Sequence, residues 1–392
     1  MITIPNDYLE INELSKDQSS STTTTSTENP STFGTTSSSN STDPSITTST
    51  STNTPIISDD LLLDHNVIPI NYHLQIRTDP NQNFFNGSVR ILLQVLNNSI
   101  DQIVLNCKNL DILNSSLESS ITIKNVHIDQ KLERCVFELN ESLKKGEYAL
   151  QIFYSSTFRT GQIIGFYRSS YTTIKNEIRY MTATKFEPTY ARMAFPCFDE
   201  PSFKATFNIS LIYPTGLTAL SNQIETETVS IIDEPGFSQT TFAQTPKMST
   251  YLVAFSVNDF EYTETRTTFG TRVRVYSRPD QVKKTTYACE SAATILSYYE
   301  NITAIPYSQS MAKLDLIGLP EFVSGAMENW GLVTYKETYV LFDVNESSSD
   351  DKRKIAQVIA HELAHMVSIT KKFLIEISTL TTFAMFQKKV DW

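Results

Sequence analysis

Histidine and tryptophan are scarce in this chain of 392 residues, with five and two copies. No basic stretch offsets the acidity: 43 acidic against 32 basic residues leave a formal net charge of −11, which argues against nucleic acid as a partner. No apolar run approaches membrane-spanning length. The first residues carry Asp7, Glu10, Glu13 and Asp17, with neither the basic start nor the apolar core of a secretory signal. Cysteine is limited to Cys107, Cys135, Cys197 and Cys289, with no CxxC pair, and this scatter predicts free thiols in a reducing compartment rather than a disulfide framework. These absences together predict a soluble, cytoplasmic protein without a membrane span. Sequons such as those at Asn86 and Asn301 carry no weight in a chain so rich in Asn, Ser and Thr.

What is present falls into three stretches. Residues 1–58 are dominated by Ser, Thr and Asn, most densely from about Lys16 to Asn53, and have too little apolar surface to offset the entropy of ordering; a disordered leader is expected. Residues 59–262 alternate and turn like an all-β domain. Tyr72–Ile76, Val89–Val95, Ile103–Leu105, Tyr148–Tyr154 and Tyr251–Phe255 are β-type runs, punctuated by turn signals such as Asp79-Pro80 and Asn86-Gly87. Strands at this spacing suggest a sandwich or a saddle-like sheet. Residues 263–392 change character. Lys283 to Tyr299 has helical spacing, strand-like runs follow at Leu314–Ile317 and Leu332–Tyr335, and a second helix begins at Ser349-Asp350-Asp351 with an N-cap and first-turn acids. The fold class is therefore α+β and multidomain.

Ile355, Val358, Ile359 and Leu363 give that second helix its apolar stripe, and it carries His361-Glu362-Leu363-Ala364-His365. Imidazoles four apart on a helix point the same way and can hold one Zn²⁺, while the glutamate beside the first can reach a water on the metal. The competing reading is a polar patch on an amphipathic helix. His65, His73 and His127 stand in strand or turn context without partners and read as solvated or core histidines, and Asp343, Glu346, Asp350 and Asp351 as a solvated loop and helix start.

A second element weighs against the polar-patch reading. Gly325-Ala326-Met327-Glu328-Asn329-Trp330, beginning thirty-six positions before His361, resembles the exopeptidase motif of the gluzincin, M1-type zinc aminopeptidases, the family of aminopeptidase N and puromycin-sensitive aminopeptidase. The resemblance continues through Asn66-Val67-Ile68-Pro69, Gly165-Phe166-Tyr167-Arg168, the run from Phe186-Glu187-Pro188 to Phe198-Asp199-Glu200-Pro201, and Thr245 to Phe255, all in family order. It implies an N-terminal saddle-like β domain followed by the start of a thermolysin-like α/β catalytic domain. It also implies zinc as cofactor and peptides with a free N-terminus as substrates. His361 and His365 would be metal ligands, and Glu362 the general base acting on zinc-bound water. Glu328, paired with Glu187, would bind the substrate α-ammonium, which explains cutting only at an N-terminus, because an internal peptide nitrogen brings no positive charge to two buried acids. Gly325 and Ala326 would present backbone to the peptide, with Met327 and Asn329 in the same substrate-binding loop. Glu187 as a strand-ending acid and Glu328 as a surface acid are the plainer alternatives.

Departures from the family pattern are as specific. The third ligand should be a Glu nineteen residues after His365, where this chain has Ala384, and Glu376 is the only acid between Met366 and Val390. Family likeness breaks at Met366–Thr382 and resumes at Phe386, a pattern suggesting a compensated frameshift or misread splice; a single clean reading frame in genome and transcript would defeat that idea. The third ligand is thus expected to be absent, as is the family's oxyanion-stabilising catalytic tyrosine, which the resemblance places beyond Trp392, and a truncated chain is expected to be inactive or weakly active, or else a pseudoenzyme that binds peptide or regulates. Lys185 stands where the family often has Gln, beside the substrate amine and first side chain, and would either repel the ammonium or favour an acidic first residue.

Overall fold

The structure, a computed structural model, describes residues 62–370 except 160. The expected leader, and the positions Glu376, Ala384 and Phe386 onward, lie outside the described residues. From Leu63 onward the described residues form one compact unit.

Strands β1 (Val67–Thr78), β2 (Phe84–Val95), β3 (Ile100–Asn106), β4 (Asp111–Leu117), β5 (Ile123–Asp129), β6 (Arg134–Leu143) and β7 (Gly146–Thr157) open the fold. They are followed by β8 (Gly165–Thr172), β9 (Ile178–Lys185), β10 (Thr206–Pro214), β11 (Thr218–Ser221), β12 (Glu225–Ser230), β13 (Phe237–Phe242) and β14 (Phe255–Asn258). A seven-stranded sheet runs β12-β13-β10-β1-β2-β7-β4, a three-stranded sheet β3-β6-β5, and a four-stranded sheet β11-β14-β9-β8. Alternation drives this: along β1 and β2 every second side chain is buried for most of the length, so one face of each strand is committed to the core. Tyr72 stacks on Phe207 at 4.7 Å within that core, and its hydroxyl accepts from the Phe198 amide.

A five-stranded sheet follows, built from β15 (Glu261–Arg266), β16 (Arg272–Ser277), β17 (Lys313–Leu319), β18 (Ala326–Met327) and β19 (Leu332–Lys336), in the order β15-β16-β17-β19-β18. β16, β17 and β19 are parallel, and α1 (Thr286–Thr303) is the crossover that parallel neighbours β16 and β17 require. Central β17 is buried at every position, as a strand covered on both faces should be. Helix α2 (Ser349–Thr370) packs on α1 and buries Ile355, Ile359, Leu363 and Met366 in the core. The fold is thus an N-terminal β domain followed by the start of an α/β catalytic domain, as expected. Among the described residues no helix is long and apolar enough to cross a membrane.

Three expectations need correction. Cys107 and Cys135 form a disulfide with Cα atoms 5.7 Å apart; only Cys197 and Cys289 are free, both buried. Antiparallel pairing of β3 with β6 brings together thiols 28 residues apart, which no local spacing could reveal, and the thiol argument for a reducing compartment goes with it. Tyr251 lies in a 3-10 turn, Thr250–Leu252, rather than a strand, and pairing starts only at Phe255. The cap of α2 is Ser348, one residue before the expected position: its hydroxyl accepts the Asp351 amide at 3.2 Å while Asp351 accepts the Ser348 amide at 2.9 Å, a reciprocal capping box.

Candidate active site

Glu187 sits just past the end of β9, Glu328 just past edge strand β18, and Glu362 on α2, which packs against β18. The polypeptide therefore delivers the three carboxylates from three separate stretches. Glu362 is buried, Glu328 half-buried and Glu187 exposed. Burial first, then the charges of Glu328 and Glu187, push the Glu362 carboxyl up to about 8, with Lys185 opposing. Glu328 and Glu187 thus lie close enough to Glu362 for their charges to act on it.

The same helix points two imidazoles together. His361 Nε2 and His365 Nε2 lie 3.2 Å apart, with the rings edge-on at 77°. Two nitrogens each about 2.0–2.1 Å from one tetrahedral zinc would stand about 3.3 Å apart, so the pair fits the metal as two of its donors. Partial burial, then the neighbouring His365, lower the His361 imidazole below its usual value, with Glu328 acting the other way. Among the described residues no group of three or more His, Cys, Asp or Glu gathers to hold a metal, so they supply two donors and not a third.

The loop carrying Glu328 is held from outside. Asn222, fully buried after β11, donates to the carbonyls of Trp330 and Leu252 at 2.8 Å each and accepts the Ala254 amide at 2.9 Å. Gly331, at φ +84°, has its backbone against the Asn222 carbonyl, where a Cβ would collide. On the other side, Ser169 donates to Glu321 at 2.9 Å and Tyr167 to the Glu321 carbonyl at 3.2 Å. Asn329 turns inward, 1% exposed, and donates to Thr334, bracing the loop. Gly325 and Ala326 enter edge strand β18, whose only strand partner among the described residues is β19.

Lys185, buried at the end of β9, donates its Nζ to Glu187 Oε2 at 2.7 Å and to the Met327 sulfur at 3.5 Å. Two groups that sequence reasoning missed also face the acids. Tyr251, half-buried, has its phenol raised by burial and then by Glu328 and Glu187. Tyr335 on β19 is fully buried beside Glu362, its hydroxyl without a protein partner among the described residues. Neither follows a motif of chemical residue types; the 3-10 turn before β14 brings Tyr251 here and strand β19 brings Tyr335. His65, His73 and His127 lie elsewhere: His65 stacks on Phe203 at 4.4 Å, and burial, then Arg90, lowers His73.

The β domain thus brings an acid toward a helix that carries paired imidazoles. The sequence matches the Peptidase M1 N-terminal domain over residues 68–252 and the Peptidase family M1 domain over residues 287–368. The chain belongs to peptidase family M1. It is 40% identical over 318 residues to "Endoplasmic reticulum aminopeptidase 2" of Bos taurus, covering 78% of this chain and 32% of that protein. It is 40% identical over 308 residues to "Alanine/arginine aminopeptidase" of Saccharomyces cerevisiae, covering 78% and 35%, and 36% identical over 315 residues to "Glutamyl aminopeptidase" of Sus scrofa, covering 78% and 33%. The chain thus spans about a third of the length of these relatives.

Proposed function

We propose that this chain carries the substrate-amine pocket and the proton-transfer group of a zinc-dependent aminopeptidase, which releases residues from the free N-terminus of peptides. The observation that carries the reading is the convergence of Glu187, Glu328 and Glu362 beside two imidazole nitrogens 3.2 Å apart. Glu328 and Glu187 would hold the substrate ammonium, which desolvates best against carboxylates. The unpaired edge of β18 at Gly325 and Ala326 would add the peptide as a further strand, so that backbone bonds align it whatever its side chains. Glu362 Oε would take a proton from the attacking water and pass it to the leaving amine. When bound by His361 and His365, zinc would supply Lewis acidity toward the scissile carbonyl and a positive field that returns Glu362 to its carboxylate form at neutral pH.

Because the described residues bring only two donors, zinc affinity and turnover are proposed to be weak. The same two-donor set favours a second reading, a non-catalytic module that binds peptide termini. Zinc stoichiometry by equilibrium dialysis, together with hydrolysis of an aminoacyl reporter, separates them. One zinc per chain, with turnover abolished by Glu362→Gln, supports the enzyme. Peptide binding that needs the free amine, is lost in Glu328→Gln and proceeds without zinc supports the module. Equal binding of acetylated and free peptides rejects both.

A further inference from the structure

Ser221, Asn222 and Gln223, at the end of β11, each bond across to the α/β domain. The Ser221 carbonyl accepts from the Lys313 ammonium at 2.6 Å, the Asn222 side chain donates to the Trp330 carbonyl at 2.8 Å, and the Gln223 amide donates to the Ser310 carbonyl at 3.2 Å. Lys313, 1% exposed, also donates to the Gly331 carbonyl at 2.8 Å and pairs with Asp315 at 2.9 Å. All three of its N–H donors thus end on oxygen. Two consecutive carbonyls behind Glu328 are therefore gripped from the β domain, that of Trp330 directly by Asn222 and that of Gly331 through Lys313 by Ser221.

Burying a cation is costly, and a line of charges offsets it. Asp315 accepts from Arg274 at 2.7 and 2.8 Å, and Arg274 reaches Glu225 at 2.9 Å, so that Glu225, Arg274, Asp315 and Lys313 alternate in sign. The ammonium draws together two carbonyl oxygens, one from each domain, that would otherwise repel. The same sheet that holds Ser221 on β11 holds β9, which ends just before Glu187. Glu328, in turn, is separated from Gly331 only by Asn329 and Trp330. One acid is fixed to each side of the clasp.

Resting on the amine-pocket reading above, we propose that Lys313 is a positioning residue: its buried ammonium clasps the β domain to the turn behind Glu328 and so keeps Glu328 in register with Glu187, where one substrate ammonium meets both. A lysine that only stabilised the fold would act on unfolding alone. A clasp acts on recognition as well.

Calorimetric binding of Ala-Ala-Ala and N-acetyl-Ala-Ala-Ala to the full chain, with urea unfolding of each protein alongside, tests this. Lys313→Met keeps the stem and loses the charge; it should lower the preference for the free peptide about tenfold or more, the scale of a hydrogen bond to a charged group. Lys313→Met/Asp315→Asn removes one charge of each sign, so it should regain much of the lost stability while its preference stays low. Cys107→Ser, weakened outside the clasp, should keep the preference of the parent. A parent-like preference in Lys313→Met or in the double variant overturns the inference, and so does loss of folding in both, which would leave the cation serving the fold alone. If only Lys313→Met fails to fold, the double variant decides. Equal binding of free and acetylated peptides by the unaltered chain instead sinks the amine pocket, and the inference falls with it.

Discussion

The Tyr299 hydroxyl donates to the carbonyl of Ala360 at 3.0 Å, pinning α1 to the residue that immediately precedes His361. Burial holds this phenol up, at about 12, so it remains a donor across the working pH range. The contact fixes where along its axis α2 presents its imidazoles.

Tyr299→Phe should cost about 0.5–1.5 kcal/mol, because one hydrogen bond is lost while the ring still fills its place. Tyr299→Ala should cost about 3–5 kcal/mol by leaving a cavity between the helices. Urea unfolding of the three proteins checks both values. A Phe variant as damaged as the Ala variant would show that the hydroxyl, not the packing, holds the helices together.

Asp315 accepts from Arg274 at 2.7 and 2.8 Å and pairs with Lys313, all three buried. Burial pushes its carboxyl up, but Lys313 and Arg274 outweigh that and hold it below 3.8. A folded value below the unfolded one means that ionised Asp315 favours folding above the unfolded value. That contribution should disappear as pH falls through the folded value. Asp315→Asn should therefore destabilise by about 3–5 kcal/mol at neutral pH, since it leaves two buried cations short of a partner. The gap between variant and parent should narrow below about pH 4. Denaturation midpoints measured from pH 3 to pH 7 follow this directly.

Cys107 and Cys135 close a loop with a sequence separation of 28. Cys107→Ser should lower stability by about 2–4 kcal/mol, mainly by freeing the unfolded chain. Thiol titration of the denatured, unreduced protein should find the two free cysteines, Cys197 and Cys289, and four after reduction.

Gly331→Ala should cost upwards of about 1 kcal/mol, because φ +84° disfavours a side chain and the new methyl meets the Asn222 carbonyl. The loop should shift with it, so preference for free over acetylated peptides should weaken. Unchanged preference in a destabilised variant would mean that the loop tolerates displacement at Gly331.

Much of this was legible in the sequence where the signal is local. Alternation announced β1 and β2, helical spacing announced α1, and a five-residue pattern announced the imidazole pair. The rest depends on contacts that span the chain. Periodicity is blind to which strand lies beside which, so the meeting of Cys107 with Cys135 left no trace in their spacing. The Tyr251 run was apolar enough for a strand, yet its backbone turns to pair only from Phe255. Lys185 was visible as an odd residue beside the acids, but its ion pair with Glu187 emerges only in the structure. Asn222 had no pattern at all: its meaning lies entirely in the three backbone groups it binds 30, 32 and 108 positions away.

That asparagine makes the two halves of the molecule one instrument. A protein cut before β15 would keep both imidazoles and all of α2, yet would leave the Trp330 carbonyl without its Asn222 partner, with only Lys313 and the Asp315 amide still holding Gly331 beside it. Grafting the helix and its acid onto another scaffold would meet the same loss. The β-rich half is thus the mould in which the recognition loop is cast.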